Sequence, residues 1–454
     1  MTTPAQGPFD VAIIGGGIIG AGVARDLALR GARVALVEKG DFGGGTTSGS
    51  TRLIHGGLRY LEMLDFALVR MDLREREILL RIAPHLVKPL EFRIPFVGQS
   101  AWFRTKMRIG LMLYDALSYD RSLPGHRFLD NTETTAGEPA LTTHNLNGAG
   151  SYYDAQVRLP ERLCLENLID ATRHGAVVKN YTEVIAANKT NSKIESLQIR
   201  DLATGEESTL HAKVFINATG AWFDRVQQQL GNAPSRRIRT TKGIHLTCAP
   251  MVQKANVLFS PLDGRLFFVI PLLGKTWIGT TDTDFPDDPT NVRAEADDIE
   301  YLLKSVEPFF PNIRQLPIYS TNAGVRALGL TTPCRTATDL LPGGGPAPDS
   351  PFGALYGSRA PEVEKLVTAH GPIGAQARFA ARHEFCRHLE DFLLRRTEYA
   401  FASDLGASVA PAALDALSEE LQWDSARRDA EWAAYRRAAI RAHADLPIEC
   451  PLPG

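Results

Sequence analysis

Six residues near the start of the chain, Gly15-Gly16-Gly17-Ile18-Ile19-Gly20, carry the G-x-G-x-x-G spacing. That spacing suits a pyrophosphate. Gly15 allows a tight turn, Gly17 leaves space for phosphate, and Gly20 lets a helix pack closely on a strand. The helix that follows would present free N–H groups and the positive end of its dipole. Glu38, 18 residues after Gly20, is placed to bind ribose hydroxyls, which favours FAD or NAD over a 2′-phosphorylated cofactor. A bare glycine turn would read the same if Glu38 and the flanking pattern were absent. A second turn of small residues, Asn217-Ala218-Thr219-Gly220, could bring Ala218 and Gly220 against another part of the same ligand. Alone it is a strand-to-loop turn; behind a β-meander it favours FAD.

The segment Ser48–Glu62 (SGSTRLIHGGLRYLE) concentrates a different chemistry. The hydroxyls of Ser48, Ser50 and Thr51 can donate to phosphate or flavin oxygens. His55 beside Gly56-Gly57 suggests backbone passing close to a planar ring, and Arg59 with Tyr60 could reach an anionic substrate. The alternative is a glycine-rich turn with a capping serine and solvated charges.

These residues need elements to hold them. Phe9–Ile14 (FDVAII) and Arg33–Glu38 (RVALVE) read as buried parallel strands around a helix over Gly20–Arg30 that Gly31 ends. Apolar spacing predicts helices over 62–83, 102–120, 160–175 and 295–308. Residues 176–217 and 236–285 alternate strand-like runs with turn signals. The 102–120 helix carries Arg104, Lys106 and Arg108, and a basic amphipathic helix can lie on a membrane surface or simply face solvent.

Composition narrows the classes. The chain has 454 residues, 44% hydrophobic and 22% charged, so it is an ordinary globular chain of two or three domains. Fifty basic against 52 acidic residues give a net charge of −2, which argues against nucleic acid as a partner. Cysteines 164, 248, 334, 386 and 450 form no C-x-x-C pair, as expected in a reducing compartment. The first residues lack a signal-peptide pattern, and the longest apolar run, Leu266–Leu273, is too short to span a bilayer.

The motifs together resemble the FAD-dependent glycerol-3-phosphate dehydrogenase family of the glycine-oxidase-like superfamily. The matching stretches include GGGIIGAG (15–22), TRLIHGGLRYLE (51–62), NATGAWFD (217–224), TTKGIHL (240–246), IGTTDTDF (278–285), NAGVRAL (322–328) and HEFCRHLEDFLLRRTEYAFASDLG (383–406). The resemblance implies an α/β fold: a Rossmann-like FAD-binding domain, an antiparallel β substrate domain and a C-terminal helical cap. The FAD-binding parts would be about 9–90 and 150–235, and the substrate domain about 91–149 and 236–325. Residues 331–373, rich in Pro and Gly, read as a linker, and 374–454 as the cap.

The implied reaction is hydride transfer from C2 of sn-glycerol 3-phosphate to flavin, giving dihydroxyacetone phosphate. Electrons would then pass to quinone or oxygen, on a peripheral protein at the cytoplasmic face of a membrane or in the cytoplasm, and a homodimer is allowed. The resemblance assigns FAD contacts to Gly15, Gly17, Gly20, Glu38, Thr46, Thr47, Ser48, Ser50, Gly56, Gly57, Ala218 and Gly220. It assigns substrate chemistry to Arg326, Arg59 and Tyr60, with His55 and His245 as candidate bases and Thr280, Thr281 and Asp282 in the same pocket. No metal is expected. One family feature is missing. After Gly324-Val325-Arg326 the family continues with a second basic residue and a strand ending in a GGK-x-T-x-YR motif, whereas Gly329-Leu330-Thr331 runs directly into Thr332-Pro333-Cys334-Arg335. The expected result is a parallel sheet short of one strand and a phosphate site short of cations; the alternative function is a flavin-binding paralogue with impaired turnover.

Overall fold

The computed structural model describes residues 8–191, 193–232, 238–328, 350–402 and 404–443. The chain opens with β1 (Phe9–Ile14), α1 (Ile18–Leu29), β2 (Val34–Val37), β3 (Leu53–Ile54), α2 (Phe66–Ile82), β4 (Val87–Val97) and α3 (Ala101–Leu117). It continues through β5 (Arg127–Leu129), α4 (Asn131–Gly137), β6 (Leu146–Val157), α5 (Pro160–Arg173), β7 (Val177–Lys179), β8 (Thr182–Thr190), β9 (Lys193–Asp201) and β10 (Glu207–Asn217). Next come α6 (Phe223–Gln229), β11 (Arg239–Cys248), β12 (Ala255–Phe259), β13 (Leu266–Leu272), β14 (Lys275–Gly279), β15 (Thr283–Asp284), α7 (Ala296–Val306) and β16 (Ile318–Leu328). The helices α8 (Gly353–Tyr356), α9 (Ala360–His383), α10 (Leu389–Asp391), α11 (Ala410–Leu421) and α12 (Ser425–His443) follow.

Two sheets carry the site. In the first, β7, β2, β1 and β10 lie parallel, and β9 and β8 extend it antiparallel. The apolar runs of β1 and β2 are buried because helices cover them. The small residues Ala21, Ala24 and Ala28 let α1 pack tightly on the sheet beside Leu165 and Leu168 of α5. Pro160 opens α5, where its missing N–H has no partner to lose, and Gly175 follows it at φ +89°. The second sheet runs β15-β11-β14-β13-β12-β4-β6-β3, with β16 on β11 and β5 on β6. All its pairs are antiparallel except β12 with β4. The far side of β11 and β14 buries Ile244, Leu246 and Ile278 against Leu302 and Val306 of α7. The side of β4 and β13 buries Phe92 and Ile270 with Leu73 of α2 and Leu111 of α3.

Two expectations change. The boundary near 150 moves, because β6 stays in the larger sheet to Val157 as one unbroken partner of β4. The 331–373 linker is partly wrong: 331–349 lies outside the described residues, but 353–383 is helical. Pro361 sits in the first turn of α9, and Gly371 at φ +67° kinks it just before Pro372. Proline and glycine there punctuate helices instead of loosening a chain. Cys334, Cys450 and Gly343–Gly345 also lie outside the described residues. The expectation of a sheet short of one strand bears on the outer edge of β10. β9 covers β10 only over Glu207–His211; over Ala212–Asn217, β1 pairs one edge and, among the described residues, no strand pairs the other. Val214 there is 52% exposed.

The C-terminal helices dock on the first domain through buried charge. Arg162 of α5 pairs with Glu384, and Arg359 pairs with Glu166 and, at 3.3 Å, with Glu384. Arg396 grips Asp41 with two nitrogens at 2.5 and 3.0 Å, and Phe42 meets Phe385 edge-on at 5.6 Å. Burial pushes the Asp41 carboxyl up, but Arg396 and Arg395 outweigh it and hold it below its usual range.

Candidate active site

The dinucleotide half forms where the spacing placed it. Gly15 adopts φ +107°, and a Cβ there would lie 2.6 Å from the Ala218 carbonyl oxygen, so the two glycine-containing turns touch. A Cβ on Gly20 would come within 2.0 Å of the Gly15 oxygen, while Gly17 faces open space with only Thr47 Oγ1 at 3.5 Å. Glu38 directly follows β2, its two oxygens accepting the Gly16 and Gly40 N–H groups at 2.7 Å each. Burial raises its pKa despite those two donors. Thr47 accepts the Ile18 N–H at 3.0 Å, at the first turn of α1.

The other half is a face of the larger sheet. Directly paired residues share a face, and Phe268, Gly279, His245 and Asn322 form one row across β13, β14, β11 and β16. Two residues along, Gly243 pairs with Gly324; two further, Thr241 pairs with Arg326. The loop bearing Thr46–Thr51 sits on this face. Thr46 Oγ1 donates to the Val325 carbonyl at 2.6 Å, and a Cβ on Gly49 would lie 2.6 Å from Gly324 Cα. Ser48 turns back on its own loop, bonding Gly44 and Gly45 carbonyls, and Ser50 Oγ accepts the Arg52 N–H at 3.3 Å. His245 reaches Thr51 Oγ1 through Nε2 at 3.0 Å and stacks on Trp277 at 5.0 Å. Burial, with Arg326 and Arg52 nearby, pushes its pKa down to about 3, so it is neutral in the working range. Its Nδ1 and Asn322 Oδ1 are buried with no hydrogen-bond partner.

Arg326 lies over Gly243 and donates to Asp282 at 2.8 Å, Thr280 Oγ1 at 2.7 Å and the Thr281 carbonyl at 2.9 Å. The expected grouping of Arg326 with Thr280–Asp282 is thus formed. Arg265, which the motif reading missed, donates to the Asp282 carbonyl at 2.6 Å and brings a second guanidinium beside the pair. Its only sequence signal is its place after the Asp263-Gly264 turn. His55 follows β3, is exposed, and accepts the Gly57 N–H through Nδ1 at 3.0 Å; its ring lies 6.1 Å from that of Phe268. Its neutral form therefore carries the proton on Nε2. Tyr60 packs over Gly57, and the Arg59 side chain lies outside the described residues. His55 thus lies beside the Phe268 end of the row in which His245 stands third.

This combination of halves matches known proteins. A family model described as FAD dependent oxidoreductase matches residues 10–371, and one described as the C-terminal domain of alpha-glycerophosphate oxidase matches 353–428. A glycerol-3-phosphate dehydrogenase of Synechocystis is 33% identical, over 94% of this chain and 95% of that protein. The chain belongs to the FAD-dependent glycerol-3-phosphate dehydrogenase family. That alignment is 527 positions long against 454 residues here, so stretches of the relative have no counterpart in this chain. An alpha-glycerophosphate oxidase of Streptococcus pyogenes is 37% identical, over 70% of this chain; the chain spans only 54% of that relative's length. A solved glycerol-3-phosphate dehydrogenase of Bacillus halodurans complexed with FAD superposes with a TM-score of 0.79 at 25% identity, covering 97% of this chain and 96% of that one.

The family is FAD-dependent, and the residues present fit the cofactor. Glycines at 15, 17 and 20 keep side chains out of the turn, Glu38 lies directly beside it, and buried polar atoms without a partner, His245 Nδ1 and Asn322 Oδ1 among them, line the sheet face. Among the described residues no cluster could hold a metal ion, and no helix is long and apolar enough to cross a membrane.

Proposed function

We propose that this chain oxidises sn-glycerol 3-phosphate to dihydroxyacetone phosphate. The observation that carries the reading is the sheet face itself, which places Arg326, Gly243, His245 and Gly279 against the Thr46–Thr51 loop. FAD, when bound, supplies the acceptor for the hydride from C2. The protein's part is to bind, orient and take a proton. Arg326 and Arg265 suit the dianionic phosphate, since guanidinium groups bind its oxygens in pairs. His245 is the base proposed on geometry: its Nδ1 is the ring atom left unengaged, although burial makes it a weak one. His55 presents an Nε2–H that suits a substrate oxygen.

The test is a visible spectrum before and after anaerobic addition of glycerol 3-phosphate. A flavin band that bleaches, and that stays unbleached in His245→Asn, supports the assignment. A band that never bleaches would instead mark an impaired, flavin-binding chain. Absence of flavin would sink both.

The electron acceptor is proposed to be a quinone in an anionic membrane. On α3 the exposed side carries Trp102, Ile109 and Met112 with Lys106 and Arg108, and Met63 and Leu64 are exposed on the adjoining turn. Apolar groups flanked by cations suit a headgroup layer. Sedimentation with vesicles of anionic lipid should capture the protein, and Ile109→Glu should release it. Failure to sediment at low salt would leave oxygen as the acceptor.

A further inference from the structure

His55 stands on a turn that cannot hold itself. Gly57 sits at φ +65°, and Gly56 is buried so tightly that a Cβ would lie 2.4 Å from the Leu73 side chain and 2.6 Å from Tyr114 Oη. The Gly56 N–H is therefore shut away from water and needs a partner within the protein. It finds one 58 residues along the chain, donating to Tyr114 Oη at 2.8 Å. Tyr114 lies on the buried side of α3, opposite the Trp102, Ile109 and Met112 face. Its hydroxyl donates onward to Asp154 at 2.8 Å, and Asp154 also takes Arg76 at 2.6 Å. Arg76 is fixed in turn by Ser118 Oγ at 3.0 Å and by Glu77 at 2.7 Å. Burial and the Asp154 carboxylate both push the Tyr114 hydroxyl well above its usual pKa, so it keeps its proton and its direction of donation.

We infer that Tyr114 is a positioning residue for the oxidation of glycerol 3-phosphate, holding the Gly56 amide so that His55 presents Nε2 to the substrate. The inference rests on the dehydrogenase reading of the site. The chain Gly56, Tyr114, Asp154, Arg76 has one donor and one acceptor at each step, so its direction is fixed. Removing only the Tyr114 oxygen leaves the Gly56 N–H buried without a partner, and the turn relaxes toward any conformation that returns the amide to water. His55 loses its orientation because its Nδ1 is bonded to the next amide, that of Gly57.

The experiment is a double-mutant cycle with Tyr114→Phe and His55→Asn, each loaded with FAD. Tyr114→Phe should lower kcat/KM about tenfold with flavin content unchanged, and should have no further effect in His55→Asn. Additive effects, or a Tyr114→Phe enzyme within about twofold of the parent, would overturn the inference. Tyr152→Phe removes a hydroxyl from the same buried cluster, against Phe92 and Tyr114, without touching Gly56. It should stay within about twofold of the parent, and an equal loss there would reduce the effect to general packing. Hydrogen exchange of the peptide containing Gly56 needs no turnover. It should quicken in Tyr114→Phe and not in Tyr152→Phe; unchanged exchange overturns the inference even where the parent enzyme is active. A parent that binds FAD and fails to bleach would sink the dehydrogenase reading alone.

Discussion

Single residues decide charge recognition and acid sensitivity. Arg326 is half-buried and bonded to Asp282, Thr280 and Thr281, so its fork is aimed before substrate arrives. Arg326→Met should raise KM for glycerol 3-phosphate by about ten- to a hundredfold, since a charge-assisted contact contributes about 1.5–3 kcal/mol. Flavin content should not change, and steady-state kinetics with a flavin spectrum checks both. His85 is a second buried neutral histidine: burial, with Arg162 and Arg359 nearby, pushes it down to about 3, and neither ring nitrogen has a partner. Its folded pKa lies below the unfolded value near 6.5, so the unfolded chain binds the proton more readily. Its contribution is intact above about pH 6.5 and is lost as pH falls toward about 3, reaching about 2 kcal/mol at pH 5. His85→Leu should flatten the acid limb by that amount, read from urea unfolding at pH 7 and pH 5. At this scale the sequence was readable where chemistry depends on local spacing, as with Gly15, Gly17, Gly20 and Glu38. Arg265 and Tyr114 were not, because their roles depend on partners 17 and 58 positions away.

At the scale of elements, the same substitution has opposite signs in two places. A Cβ at Gly49 would meet backbone of β16 at 2.6 Å, whereas a Cβ at Gly22, within α1, meets nothing within 4 Å. Gly49→Ala should therefore destabilise by about 1–3 kcal/mol by lifting the loop off β16. Gly22→Ala should stabilise by about 0.5–1 kcal/mol by restricting the unfolded chain. Thermal unfolding of both variants checks the pair. Strands and helices with clear apolar periods were legible: β1, β2, α1 and α5 fall within a few residues of their expected bounds. The 350–373 stretch was not, because proline and glycine mark both loops and helix ends, and only the packed partner shows which. Gly49 also could not be explained from sequence, since its reason is Gly324, far along the chain.

At the scale of the molecule, the C-terminal helices are tied to the cofactor domain by buried charges. Glu384 is fully buried between Arg162 and Arg359, and burial's upward push on its pKa is outweighed by those arginines. Removing one partner of such a group leaves the others uncompensated, so Glu384→Gln should cost about 3–5 kcal/mol. Denaturant unfolding with and without FAD measures it; a loss below about 1 kcal/mol would show the docking to be mainly apolar. That the two parts dock was not legible at all, since sequence gives charges without their distances. The Asp41–Arg396 grip also has a consequence in time. The two residues are 355 positions apart. A ribosome adding ~5–20 residues per second needs roughly 20–70 s to travel from one to the other. Throughout that interval the nascent dinucleotide fold holds Asp41 without Arg396 and stays incomplete, although every glycine of its own motif has been made. Messages cut short anywhere before Arg396 should therefore yield insoluble product, in place of a smaller flavoprotein.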